Sequence, residues 1–130
     1  MNVALAIIID EKKILIGKIK AEKLGDYSGL QYVFPCESIQ NVDCAEVELV
    51  KEVKRQTGLD TKVVEKIGER IHPSTQNNSL YFLCEKNPHQ TIDIAKDIDV
   101  ESFLWVDIVE LQSYMPTLFH VVKDYLSKKI

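Results

Sequence analysis

Glu48, Glu52, Arg55 and Gln56 come together if the segment that carries them is helical. At about 100° per residue the first three fall in a band roughly 60° wide, and Gln56 projects near the same flank. Two carboxylates four residues apart can reach one divalent cation from that flank. A guanidinium three residues beyond Glu52 can instead pair with it, or offer its planar fork to phosphate oxygens. The side chains alone therefore support three chemistries: a metal site, a surface ion pair, and a phosphate-binding cation.

The helix that would carry them is legible over residues 43–57. Asp43 is placed to cap it, Glu46 follows three residues on as in a capping box, and Gly58 ends it. Ala45, Leu49, Val50 and Val53 supply an apolar face. Ahead of it, residues 3–9 and 14–19 are β-branched apolar runs around a polar tetrapeptide, Asp10 to Lys13, which predicts a hairpin. Residues 20–31, with Gly25, Asp26, Tyr27, Ser28 and Gly29, predict a long surface loop, a common place for function. A short strand over residues 32–34 stops at Pro35.

Beyond the helix, residues 61–71 and 80–84 predict strands around a polar turn at 72–79. Residues 87–101 form an acidic stretch with Asp93, Asp97, Asp99 and Glu101. A last strand is expected over 103–106 and a helical turn over 107–111. Pro116 is expected to open a terminal helix, with Leu118, Val121, Val122, Tyr125 and Leu126 at i, i+3, i+4, i+7 and i+8. This order predicts an α/β (α+β) architecture, a mixed sheet between helices, with residues 1–130 as a single domain.

Composition narrows the partners. The 130 residues are 45% hydrophobic and 28% charged, in the globular range, and the net charge is −4. An acidic balance argues against a protein held on nucleic acid by phosphate contacts. Cys36, Cys44 and Cys84 are odd in number and make no CxxC pair, which suits reduced thiols. The apolar run at 3–9 is too short to span a bilayer and has no basic flank, so a cytoplasmic, membrane-free protein is expected.

Residues 34–59 also carry a recognisable pattern. Phe34, Pro35, Cys36 and Glu37, then Asp43, then Lys51, Glu52, Val53, Arg55, Gln56, Gly58 and Leu59 resemble the Nudix box, written G, five residues, E, seven residues, R-E-U-x-E-E-x-G-U, with U a bulky aliphatic. Glu52, Val53, Gly58 and Leu59 match. Lys51 stands for arginine, Asp43 for the earlier glutamate, Glu37 for the opening glycine, and Arg55 and Gln56 for the adjacent glutamates. Because that glycine region supports a bent backbone, Cys36 and Glu37 are expected to meet strain or to remodel the loop.

The resemblance implies a Nudix-like α/β/α sandwich with a mixed β-sheet, and relatives that often form homodimers. It implies hydrolysis of a nucleoside diphosphate linked to another moiety, a small-molecule nucleotide derivative, assisted by Mg²⁺ or Mn²⁺. Glu52 would be the catalytic residue and a metal ligand, with Glu48 as a second ligand on its flank. Arg55, Tyr27 and Tyr32 would contact substrate. The charge count opposes the metal. The family triplet would carry −3, whereas Glu52, Arg55 and Gln56 sum to zero. A guanidinium about 5 Å from a dication is repelled by roughly 7 kcal/mol at an effective dielectric near 20. Metal binding is therefore expected to be lost or badly weakened, leaving reduced hydrolysis or, alternatively, a non-catalytic nucleotide-binding or regulatory module. An acidic residue from 93–101 could restore a ligand.

The remaining candidates read as structural. His72, His89 and His120 lack metal-ligand spacing. Cys36 has no neighbouring histidine in sequence to activate it. Phe103, Leu104 and Trp105 are expected in the core, and Lys18 and Lys20 in solvent.

Overall fold

The computed structural model describes residues 1–92 and 99–129 of the chain. Strands β1 (Asn2–Asp10) and β2 (Lys13–Ile19) form the expected hairpin, with Asp10 opposite Lys13 and Ile9 opposite Ile14. Only Glu11 and Lys12 lie between them, and both have positive φ, 49° and 68°. A two-residue turn of this kind matches the right-handed twist of its strands but favours Asn-Gly. We expect Lys12→Gly to raise the melting temperature by a degree or two, as relief of αL strain exceeds the added chain entropy by about 0.5 kcal/mol. A thermal melt showing a lower midpoint would contradict this.

Strand β1 lies at the centre. It runs parallel to β6 (Asn78–Lys86) and antiparallel to β4 (Cys36–Ile39), and β6 is flanked by antiparallel β5 (Thr61–Ile71). Strand β2 carries the rest of the sheet, pairing antiparallel with β3 (Tyr32–Val33) and β7 (Val100–Asp107). Helix α1 (Ala45–Thr57) covers one face, while α2 (Leu111–Tyr114) and α3 (His120–Ser127) contribute to the core on the other. The chain thus has the expected mixed sheet between helices.

Burial on both faces explains the unbroken apolar runs. Ala4, Ala6 and Ile8 of β1 join Leu80 and Phe82 of β6 under Leu49 and Val53 of α1. Ile7 of β1 instead joins Tyr81 and Leu83 with Phe119, Val122 and Leu126. Gly68 on β5 permits the close approach of that second layer: a Cβ there would meet Val121 Cγ1 at 3.2 Å and Phe119 at 3.5 Å.

Several boundaries differ from expectation. The stretch over 20–31 is not wholly irregular, since Ala21–Tyr27 winds as a 3₁₀ helix ended by left-handed Ser28 and Gly29. It buries no residue, so it leaves no apolar period to read. Strand β4 was not anticipated; its four residues are defined by pairing with β1 rather than by alternation. Asp43 does not cap α1. The Asn41 side chain instead accepts from the Asp43 amide and starts a 3₁₀ turn, Val42–Cys44, that leads into the helix. Val50 is only half-buried, and Gln56 and Thr57 complete the buried face.

Strand β7 is longer than the 103–106 expected. The terminal helix begins at His120 rather than at Pro116, because the Thr117 carbonyl is taken by the Arg70 guanidinium at 2.6 Å. Asp93 and Asp97 of the acidic stretch lie outside the described residues.

Candidate active site

Helix α1 and strand β4 meet at Gln56. This side chain is 6% exposed, and its Nε2 donates to the Cys36 carbonyl at 3.1 Å and to Glu52 Oε2 at 2.9 Å. A glutamate here would turn an acceptor toward two acceptors, so the amide suits the site as built. The helix end is equally well satisfied. Gly58 adopts φ 78° and its amide donates to the Lys54 carbonyl, while the buried Thr57 hydroxyl donates to the Val53 carbonyl at 2.7 Å and accepts from the Leu59 amide. Val53 and Leu59 are fully buried beneath this end.

Glu52 is held from two sides. Arg55 Nε donates to Oε1 at 2.6 Å and Nη2 to Oε2 at 2.7 Å, a bidentate fork, and Gln56 adds the bond to Oε2. The hydrogen bonds from Arg55, followed by that from Gln56, hold the Glu52 carboxyl below its ordinary range despite partial burial. Glu37 responds in the opposite direction. Burial first, and then the nearby Glu52 charge, push its carboxyl up.

Cys36 and Glu37, in place of the glycine region, adopt extended conformations within β4, and neither has positive φ. The expected backbone strain is therefore absent at these two residues. Pairing with Leu5 and Ala4 of β1 straightens the segment.

These elements form one wall of a cleft of about 970 Å³, at the upper end of the roughly 300–1,000 Å³ typical of small-molecule sites. Glu52, Arg55, Cys36 and Glu37 line it, as do Tyr27 and Tyr32. Tyr27 donates to Asp99 Oδ2 at 2.8 Å, which ties the 3₁₀ segment to the entry of β7. Tyr32 meets Tyr114 edge to face, with centroids 5.1 Å apart. Glu48 does not line this cleft. It borders a smaller concavity with Glu37 and Cys44, and Asp43 and Lys51 are exposed. Cys84 is a core residue whose thiol is pushed up to about 12, chiefly by burial.

The end of β5 and the residue that follows it supply cleft residues that the sequence did not single out as a site. Arg70 lines it, and so does His72, which the sequence suggested only as part of a turn. The amides of Ser74 and Thr75 donate to His72 Nδ1 at 3.0 and 3.3 Å, so neutral His72 carries its proton on Nε2. The signal available in the sequence was two polar residues at i and i+2 at a strand end, too common to mark a site.

Burial first, and the Arg70 charge second, lower the His72 pKa from 6.5. The unfolded chain then binds the extra proton below about pH 6.5, so this residue's contribution is complete above that pH and is lost as pH falls through the folded value. Melts between pH 7.5 and 5 are expected to show a decline that is smaller in His72→Asn; an identical decline would remove His72 as its source.

A divalent ion does not suit the side chains as arranged. Both Glu52 oxygens accept from Arg55, Gln56 presents an amide NH₂, and Glu48 borders the other concavity. Among the described residues no group of three or more His, Cys, Asp or Glu side chains converges as a metal site. Nor, among them, is any helix long and apolar enough to cross a membrane.

No family model matches the sequence, and no curated protein matches it. Solved structures do match. An ADP-ribose pyrophosphatase from Streptococcus suis aligns with a TM-score of 0.68 at 17% identity, covering 96% of this chain and 87% of that one. A MutT protein from Methanosarcina mazei Go1 aligns at 0.69 and 15%, over 98% and 91% respectively. A Nudix hydrolase from Nitrosomonas europaea aligns at 0.71 and 14%, over 98% and 70%. The chain has the fold of these Nudix hydrolases.

Proposed function

We propose that this chain is a Nudix-type protein that takes a nucleoside diphosphate linked to another moiety into the 970 Å³ cleft, with metal-dependent hydrolysis weakened or lost. One observation carries the reading: the Arg55 fork closes on both oxygens of Glu52, the carboxylate that the box pattern assigns to metal and catalysis. The pair is neutral, so the cleft loses the negative charge that would gather Mg²⁺ or Mn²⁺. It gains a guanidinium that can release Glu52 and pair with phosphate oxygens instead.

In this reading Glu52 is a gate on Arg55, and Tyr27 and Tyr32 form the wall on which a base stacks. The partner is a small nucleotide derivative rather than nucleic acid, in keeping with the net charge of −4. Cysteines that are odd in number and form no CxxC pair suit the cytoplasm.

A nucleotide panel tests binding and turnover together. Nucleoside diphosphate derivatives are expected to raise the melting temperature by several degrees. Phosphate release with Mg²⁺ or Mn²⁺ is expected to stay at the level of Glu52→Ala. Brisk release that Glu52→Ala abolishes would restore the hydrolase reading, and a panel without any thermal shift would remove the nucleotide.

A further inference from the structure

Arg70 near the end of β5 and His72 just beyond it are two residues apart, with Glu69 before and Ile71 between them exposed to solvent, and both line the cleft. The Arg70 guanidinium lies over the Phe119 ring, 4.9 Å from its centroid. Its Nη2 donates to the Thr117 carbonyl at 2.6 Å and its Nε to the Tyr81 hydroxyl at 3.3 Å. All three partners are neutral. Among the described residues no carboxylate forms an ion pair with Arg70. Of the acids that line the cleft, Glu52 is paired with Arg55 and Asp99 with Lys23, while Asp26 and Glu37 also line it but form no ion pair with Arg70. A half-buried cation held only by neutral groups projects its charge into the cleft with little compensation.

His72 extends the same chemistry. With Nδ1 occupied by two backbone amides, the neutral ring offers an Nε2 proton, and the Tyr81 hydroxyl, already accepting from Arg70, has its own proton to donate. The wall made by the end of β5, His72 beyond it and Tyr81 of β6 is thus a set of donors around one fixed guanidinium. Such a wall selects a group with several acceptors and a negative charge.

We propose that Arg70 and His72 form a second anion subsite, one that takes a phosphate monoester or carboxylate on the moiety beyond the nucleoside diphosphate. This rests on the nucleotide reading of the cleft and narrows its ligand class. The preference comes from charge-assisted hydrogen bonds, which in a partly dry cleft are worth about tenfold or more in affinity.

Calorimetric titration of the full chain tests this with three probes: a nucleoside diphosphate sugar, the same compound with the sugar oxidised to a carboxylate, and the same compound with the sugar phosphorylated. One or both anionic probes are expected to bind about tenfold more tightly than the neutral one. Which of them gains identifies the acceptor group. Arg70→Gln is expected to bind all three alike, and Arg70→Lys to keep part of the preference. Should Arg70→Gln fail to fold, through loss of the Thr117 and Phe119 contacts, His72→Gln is expected to narrow the preference severalfold. Equal affinities in the unaltered protein, or a preference that survives both the Arg70 and His72 changes, would overturn the subsite alone. Failure of all three probes to bind would overturn the nucleotide reading with it.

Discussion

Replacing Arg55 and Gln56 together by glutamate is expected to lower the melting temperature in the absence of divalent ions and to restore it when Mg²⁺ is added. The double change removes the fork from Glu52 and turns a buried donor into a carboxylate facing the Cys36 carbonyl and Glu52. Three carboxylates then crowd one flank of α1 with nothing to offset them, and each raises the others' pKa. A dication relieves all three at once. Raw Coulomb energies for such a charge reversal near a 2+ ion exceed 10 kcal/mol at an effective dielectric near 20 and about 5 Å. Screening and side-chain motion leave a fraction of that, enough for a gain on the order of 10²-fold in Mg²⁺ affinity.

Calorimetry with MgCl₂, run beside Arg55→Glu alone, separates the two positions. A double variant whose affinity does not rise would locate the defect at Glu37, a partly buried carboxylate on extended backbone.

The largest effect on stability is expected from Leu49→Ala. Leu49 is fully buried on α1, packed into the cluster of Ala4, Ala6, Ile8, Leu80 and Phe82 on the sheet. Losing three side-chain carbons there leaves a cavity the sheet cannot close, at a cost of about 3 kcal/mol and roughly 10 °C in the melting temperature. The same helix carries Glu52, Arg55 and Gln56 on its flank, so any nucleotide-induced thermal shift should shrink as the helix loosens. A drop of only a degree or two, measured by calorimetric melting, would mean that α1 is held mainly by its ends rather than by its apolar stripe.

Much of the frame was legible in the sequence. The hairpin was read from two β-branched runs around a polar tetrapeptide, α1 from its spacing and Gly58, and β5 matched its expected span residue for residue. The box pattern led to the fold shared with the solved structures. Boundary errors fell where local pattern competes with a distant partner. Pro116 is a good helix opener, but a guanidinium from β5 holds the Thr117 carbonyl. Asp43 is a good cap, but Asn41, two residues earlier, accepts the Asp43 amide and starts a 3₁₀ turn ahead of the helix.

For the site, sequence by itself determined which side chains share a helix flank, because 3.6-residue periodicity is a local property of the backbone. It therefore brought Glu52 within reach of Arg55 and set their net charge. Tertiary structure decided the rest: that Gln56 is buried against β4, that Glu48 turns to a different concavity, and that Arg70 and His72 join the cleft. Those relations depend on which strand lies beside which and on which face of it is covered. They arise from long-range packing, to which periodicity along a single segment is blind.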